Sequence, residues 1–162
     1  MYSDKEVDKK FRVMGKNKTI TGTILVPEAS GLRMIMAAAP ESGKPDDGLY
    51  GLLETKWKNV KSELKGWFQH QVNYKLGNIQ ETAVNSDVWI VHCLFIDKAG
   101  KVDEKALDSC LKKLCQKAKY DKGTVHVSTL LTKAVSGLEA KLVKELVENG
   151  VSVFFYEEAK KA

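Results

Sequence analysis

The segment "ESGKPDDGLYGLLETKW", Glu41 to Trp57, combines glycines and charged residues in a pattern that can serve phosphate binding. It begins with loop-forming residues and continues as a helix. Glycines in a loop that leads into a helix let the backbone approach a phosphate, and the free amides of the helix start attract anions. Asp46 and Asp47 could instead cap the helix, and their charges would repel a phosphate. The segment alone leaves two interpretations open, a phosphate-binding loop and a capped helix start.

The other residues that could support catalysis or metal binding form no recognisable motif. The sequence has no GxSxG, no CxxxxxR, no GxGxxG and no GxxxxGK[ST]. His70, His92 and His126 lack the spacing of metal ligands. His92 and His126 lie in apolar runs, so we expect them to pack in the core with their nitrogens bound to backbone or water. We therefore predict no metal site and no cofactor.

Cysteine usage and charge restrict the partners. Cys93, Cys110 and Cys115 form no CxxC, so we expect buried thiols in a reducing compartment. No signal-like or bilayer-spanning run is present, which predicts a cytoplasmic protein without membrane contact. The formal net charge of +5 comes mainly from lysine. Because base reading favours arginine, the composition argues against specific duplex DNA recognition.

Apolar periodicity indicates alternating strands and helices after residue 31. Strands are predicted at 17–26, 32–39, 72–81, 87–96, 123–131 and 151–156. Helices are predicted at 48–68, 103–118 and 136–150, with Asp103 and Ser136 as N-caps and Gly150 as a stop signal.

The runs 32–39 and 87–96 are apolar almost throughout and need cover on both faces. This predicts a single α/β domain over 1–162, with flexible ends at 1–10 and 158–162. The expected fold is a three-layer α/β/α sandwich with a central mixed, mostly parallel sheet. Ligands of such folds bind at the carboxyl ends of strands, where the loop at 40–48 would lie.

Four segments together resemble the macro domain superfamily. "SGKPDDGLYGLLETKWKNVKSELKGWF" is similar to its second signature, with Gly48 to Gly51 at the glycine-containing helix start. "TITGTILVPEASGLRMIMAAA", "YKLGNIQETAVNSDVWIVHCLFID" and "VHVSTLLTKAVSGLEAKLVKELVENGVSVFFYE" are similar to its opening, central and closing strands. The resemblance spans Thr19 to Glu157 and looks most like the branch of ADP-ribose-1″-phosphate phosphatases and terminal ADP-ribose glycohydrolases.

This resemblance implies a cleft for ADP-ribose or a related nucleotide. The ligand-binding positions that it implies are Gly22, Thr23, Ala39, Gly43, Gly48, Leu49, Tyr50, Gly51, Ser128, Thr129, Leu130, Thr132 and Tyr156. Tyr50 or Tyr156 would stack on an adenine or a ribose.

Several signature residues of the family differ here. Thr23 stands at the position of the aspartate that holds the adenine amino group, and Ala39 at that of a strand-ending asparagine. The glycine-rich phosphate loop corresponds to residues 128–137, where most of the glycines are missing. Lys44 with Asp46 or Asp47 is the nearest counterpart of the catalytic Lys–Asp pair.

Three functions follow from these differences. The first is a weak or non-catalytic binder of ADP-ribose or a related nucleotide. The second is a protein- or RNA-interaction domain that has lost the ligand pocket, with surface aromatics around "GWFQHQVNY". The third, with the least support, is an active hydrolase of ADP-ribosyl bonds or terminal phosphates. A small domain with a degenerate pocket would also suit a viral or phage accessory protein.

Overall fold

Six strands, five α-helices and a short 3-10 helix make up residues 13–158, the part of the chain that the computed structural model describes. In chain order they are β1 (Asn17–Thr21), β2 (Arg33–Pro40), α1 (Leu49–Lys56), α2 (Val60–His70), β3 (Ile79–Ala83), β4 (Val88–Ile96), α3 (Glu104–Asp121), β5 (Thr124–Ser128), α4 (Thr129–Ala134), α5 (Leu138–Glu145), the 3-10 helix (Val147–Asn149) and β6 (Val153–Glu157).

The six strands form one mixed sheet in the order β1-β6-β5-β2-β4-β3. Every neighbouring pair is parallel except β3 and β4, which are antiparallel. The carboxyl ends of β1, β6, β5, β2 and β4 therefore meet at one side of the sheet, which we call the carboxyl edge. The predicted mixed, mostly parallel sheet is confirmed.

Both faces of the sheet are covered by helices. Successive residues of a strand point to opposite faces, as His92 and Cys93 do in β4. His92 bonds to Tyr50 of α1 on one face, whereas Cys93 lies within reach of the Cys110 thiol of α3 on the other. The predicted three-layer arrangement follows, and it explains why β2 and β4 are apolar and almost completely buried.

Three predicted strands are shorter by at least four residues in the structure. The strand predicted at 17–26 ends at Thr21, because residues 22–26 form a turn in which Val26 N donates to Thr23 O at 3.1 Å. The strand predicted at 72–81 begins only at Ile79, since Asn73 and Gly77 have φ values of 61° and 95°. The strand predicted at 123–131 ends at Ser128, where α4 begins.

The helix predicted at 48–68 is two helices. α1 stops at Trp57, which is extended at φ −121°, and α2 starts again after Asn59. On α2, Val60, Leu64 and Trp67 are buried, whereas Phe68 is half-buried.

Two of the three predicted helix-end residues, Asp103 and Gly150, act as predicted, and Ser136 does not. Asp103 caps α3 by accepting a hydrogen bond from Ala106 N at 2.9 Å, an interaction worth about 1 kcal/mol. Ser136 does not cap α5, because Gly137, left-handed at φ 78°, occupies the N-cap position. Gly150 ends the 3-10 helix at φ 93°, as its stop signal predicts.

The ends of the chain are described in part. Residues 1–10, predicted to be flexible, and 159–162 lie outside the described range. Glu158, also placed in a flexible end, is described, and its Oε1 accepts a hydrogen bond from Ile24 N at 2.7 Å. Between residues 13 and 158, no helix has both the length and the apolar character to cross a bilayer.

Candidate functional site

A cavity of about 360 Å³ opens at the carboxyl edge, beside the ends of β2 and β4. The loop after β2 contributes Ser42, Lys44 and Asp46, and the turn after β4 contributes Asp97 and Lys98. The apolar part of the wall consists of Ala38, Pro40, Ile96, Val102, Leu131, Ala134 and Val135. An apolar wall with a few polar groups at one side is the usual composition of a small-molecule site.

Hydrogen bonds tie the two cavity loops together. Glu41 N donates to Ile96 O at 2.8 Å, and Lys98 N donates to Glu41 Oε1 at 3.2 Å. Asp97 Oδ1 accepts from Ala99 N and Lys101 N, each at 2.9 Å, and this fixes the turn after β4. The cavity is therefore preformed on its β2 and β4 sides.

Two ammonium groups at this cavity are available to an anionic ligand. Within residues 13–158, neither Lys44 nor Lys98 forms an ion pair. The carboxylate of Asp46 is partly engaged, since its Oδ1 accepts a hydrogen bond from Gly48 N at 3.0 Å. Phosphate oxygens are the partners that such lysines would bind.

The structure separates the three catalytic candidates. Lys44 and Asp46 line the cavity. Asp47 does not line it; its side chain is 96% exposed and pairs with Lys61 of α2 at 3.1 Å. Lys44 and Asp46 thus lie together at the cavity and Asp47 lies outside it, and the catalytic role stays a prediction.

The glycines of the loop after β2 have different roles. Gly43 is buried at φ 76°, and a Cβ placed on it would lie 2.3 Å from the Phe68 ring. Gly48 has an ordinary φ of −67°, and a Cβ there would meet its nearest atom at 3.4 Å; at Gly51 the nearest atom lies at 3.8 Å. Packing and φ explain the glycine at 43. Gly48, the N-cap of α1, has an irregular ψ of −90°, whereas neither packing nor a positive φ requires glycine at 51.

Tyr50, predicted to stack on a ligand, is buried in a hydrogen-bonded group. Its hydroxyl lies 2.8 Å from Nδ1 of His92, and Nε2 of His92 lies 2.8 Å from Thr82 Oγ1. Burial raises the pKa of Tyr50 well above 10 and lowers the pKa of His92 from 6.5 to about 4. The Tyr50 ring is only 1% exposed, so a ligand does not reach it in this conformation; the neighbouring Leu49 is also buried.

Tyr156, the other predicted stacking residue, forms a second group of the same kind. Glu28 N donates to its hydroxyl at 2.8 Å, and the same hydroxyl lies 2.7 Å from Nδ1 of His126. Nε2 of His126 lies 2.7 Å from Thr124 Oγ1. Burial and, to a smaller extent, the charge of Arg33 lower the pKa of His126 to about 3. Tyr156 is completely buried and likewise out of reach of a ligand.

The two histidines thus differ from the sequence prediction in one respect. They do pack in the core, but their ring nitrogens bond to tyrosine and threonine side chains rather than to backbone or water. No group of three or more potential metal ligands occurs in the described part of the chain.

The remaining predicted positions lie at the carboxyl edge but outside the cavity lining. Gly22 N donates to Glu157 O at 3.2 Å, Thr23 Oγ1 accepts from Leu25 N at 3.1 Å, and Ala39 is buried. Ser128 is buried and caps α4 through Leu130 N at 3.1 Å.

Part of the segment expected to be a phosphate loop, residues 129–134, is helical. Thr129, Leu130 and Thr132 lie on this helix, α4. Leu130 is 41% exposed, and its neighbour Leu131 faces the cavity.

Sequence reasoning missed the turn after β4. None of the predicted site residues lies in this turn, yet Asp97, Lys98 and Gly100 line the cavity. A signal was present, because a parallel β4 must end at the same edge as β2.

Solved macrodomain structures share this arrangement of elements. A macrodomain protein from Streptomyces coelicolor matches with a TM-score of 0.81 at 18% identity, over 89% of this chain and 100% of that one. A protein from Bacteroides thetaiotaomicron matches at 0.77 and 22% identity, over 89% and 100%. DarTG from Thermosipho africanus, solved in complex with ADP-ribose, matches at 0.60 and 13% identity, over 81% of this chain and 39% of that one.

These likenesses establish the fold: the chain has the macrodomain fold, as its sequence resemblance implies. No protein-family model and no curated protein matches the sequence. The proposed branch within the superfamily stays a prediction.

The different roles of the glycines can be tested by unfolding. Gly43→Ala should lower the free energy of unfolding by about 2 kcal/mol or more, because the new methyl group meets the Phe68 ring and the backbone is left-handed. Gly51→Ala is the matched control: it lies inside α1 with its nearest atom at 3.8 Å, and the change should not lower the free energy of unfolding. Urea titration measures both, and equal losses would contradict the packing role of Gly43.

The buried histidines predict a loss of stability in mild acid. Between pH 6.5 and about 4, the unfolded chain protonates both histidines while the folded chain keeps them neutral. The free energy of unfolding should therefore fall as pH falls, by about 1.4 kcal/mol per pH unit for each histidine. Urea titrations at several pH values measure this slope. His92→Gln and His126→Gln should each reduce it, and an unchanged slope in the double variant would disprove the assignment.

Proposed function

We propose that this chain binds ADP-ribose or a related nucleotide weakly, and without turning it over, at the carboxyl edge. The observation that supports this proposal is the preformed cavity beside the ends of β2 and β4, with Lys44 and Lys98 free of ion pairs among the described residues. The cavity lies where open α/β sheets bind ligands. DarTG, part of which matches this fold, was solved in complex with ADP-ribose.

The chemistry of the cavity suits a diphosphate that is held loosely. Lys44 and Lys98 would attract phosphate oxygens, while the nearby carboxylates of Asp46 and Asp97 would weaken that attraction. Ligand pockets commonly measure about 300 to 1,000 Å³, so this one encloses only part of a dinucleotide-sized ligand. With Tyr50 and Tyr156 buried, stacking on an exposed tyrosine would not add affinity.

The proposed absence of turnover rests on the surroundings of Asp46 and Asp47. Asp46 is held by Gly48 N, and Asp47 points to solvent beside Lys61. Both aspartates are exposed to solvent, so neither carboxylate is held in a water-excluded position for general acid or base catalysis.

A second candidate, an interaction domain without a ligand pocket, is favoured by α4. This helix replaces the expected phosphate loop and presents Leu131 to the cavity, where an open glycine loop would leave free amides. Protein or RNA partners would then replace the nucleotide. A steep loss of RNA affinity with rising salt would identify the RNA form of this candidate.

Titration with ADP-ribose tests the first proposal. We expect a dissociation constant on the order of 0.1 to 1 mM by calorimetry, with amide shifts at Ser42, Lys98 and Gly100. Lys44→Ala should weaken binding about threefold to fivefold, because a partly exposed ion pair contributes up to about 1 kcal/mol. Lys101→Ala, which changes a neighbouring lysine outside the cavity lining, is the matched control. The absence of both heat and amide shifts at millimolar ADP-ribose would overturn the proposal.

Incubation with ADP-ribose-1″-phosphate and with an ADP-ribosylated protein tests the absence of turnover. We expect no release of phosphate or ADP-ribose above a boiled control, since neither aspartate is set up as a general acid or base. Release that is lost in Asp46→Ala and kept in Asp47→Ala would contradict this expectation and identify Asp46 as catalytic.

A further inference from the structure

The strand β3 is the outer strand on one side of the sheet, next to β4. Leu94 N donates to Asn78 O at 3.0 Å, and Val84 N donates to Val88 O at 3.0 Å. Hydrogen-bonded pairs alternate along an antiparallel ladder, so the backbone N–H and C=O groups of the even-numbered residues of β3 point to β4. The backbone N–H and C=O groups of Ile79, Glu81 and Ala83 therefore point away from the sheet, toward solvent.

A groove of about 820 Å³ runs beside the beginning of this open strand. Its base includes Asn78, Ile79 and Gln80. α2 forms one wall, with Glu63, Gly66, Trp67 and His70, and Lys113 of α3 stands at the other. An open backbone in a groove between two helices is the geometry in which an extended peptide can add a strand to a sheet.

The segment between α2 and β3 shapes the rest of the groove. Gln71 and Asn73 hold left-handed conformations at φ 55° and 61°, and Trp67 Nε1 donates to Val72 O at 3.0 Å. Val72 is 66% exposed and offers an apolar contact. The Trp67 ring is only 5% exposed and packs edge-on against Tyr74, so it gives no platform for stacking a nucleic-acid base.

The charges around the groove are mainly positive. Lys75 and Lys113 line it, against the single carboxylate of Glu63. The Lys113 ammonium donates to Gly77 O at 2.9 Å and to Asn78 Oδ1 at 2.6 Å, and its third N–H is left for a partner. A smaller cavity of about 440 Å³ shares Lys113 and adds Lys105 and Lys112. Its one carboxylate, Asp108, is already paired with Lys141 at 2.8 Å. These charges complement an acidic partner.

We propose that an acidic, extended segment of a partner protein adds a strand to the open edge of β3. Its backbone bonds to the outward groups of Ile79, Glu81 and Ala83, and its carboxylates face Lys75 and Lys113. This site is separate from the cavity at the carboxyl edge and does not depend on the proposed nucleotide.

A second copy of this chain fits the strand edge poorly. A symmetric antiparallel pairing centred on the middle residue of β3 would bring two Glu81–Lys117 ion pairs together, so it would not use the positive charges of Lys75 and Lys113 that suit an acidic segment.

The test uses the whole chain and a synthetic probe. The probe is an acetylated and amidated peptide of about eight residues that alternates valine and glutamate, a length that matches a typical strand. We expect it to shift the amides of Ile79, Glu81 and Ala83 and to slow their hydrogen exchange. A matched peptide with lysine in place of glutamate should bind at least about tenfold more weakly.

Two pairs of variants separate backbone pairing from charge. Glu81→Pro removes an outward N–H, leaves the bonds to β4 and should abolish peptide binding. Glu81→Ala removes the same carboxylate but keeps the N–H, so this variant should still bind the peptide. Lys75→Glu should weaken binding about tenfold, whereas Lys18→Glu on β1, at the opposite side of the sheet, should not. If Glu81→Pro does not fold, the glutamate peptide methylated on alternate backbone nitrogens takes its place and should not bind.

Three results would overturn the proposal. The first is an acidic peptide that leaves residues 79–83 unperturbed. The second is oligouridylate that shifts these amides while the acidic peptide does not. The third is a dimer of the chain alone that Glu81→Pro dissociates.

Discussion

The parallel pairing of β2 with β4 is the interaction on which the rest of the structure depends. It joins Arg33–Pro40 to Val88–Ile96, two apolar strands that are buried on both faces. Because both faces must be removed from water, helices have to return on each side of the sheet. The same parallel direction brings the end of β2 and the end of β4 together. The position of the candidate cavity therefore follows from the same parallel pairing that builds the core.

The polar groups inside this core determine which residues remain available to a ligand. His92 and His126 are buried, and each satisfies both ring nitrogens with a tyrosine and a threonine. A buried polar group without a partner is costly, so Tyr50 and Tyr156 are held inward by these bonds. The aromatic rings that the family resemblance places at the ligand thus stabilise the interior instead.

β4 links the two candidate surfaces of the molecule. Its carboxyl end leads into the turn of Asp97 and Lys98, which lines the cavity. Its outer side pairs with the short strand β3, whose other side is open and lies beside the basic groove. Lysines line both surfaces, but the first is a small cavity with an apolar wall and the second is an open backbone edge. Different kinds of ligand are therefore proposed for the two.

The sequence by itself determined the sheet, the alternation of elements, the cap at Asp103 and the carboxyl edge as the side where a ligand site would lie. These features depend on apolar runs, local hydrogen bonding and strand direction, all of which are written in short segments. Only the tertiary structure decided which side chains line the cavity. Gly43 is glycine because the Phe68 ring, distant in sequence, occupies the space of a side chain. Tyr50 points inward because His92 lies across from it, and Lys98 reaches the cavity because β4 ends beside β2. Such contacts depend on residues far apart in the chain, and no local pattern records them.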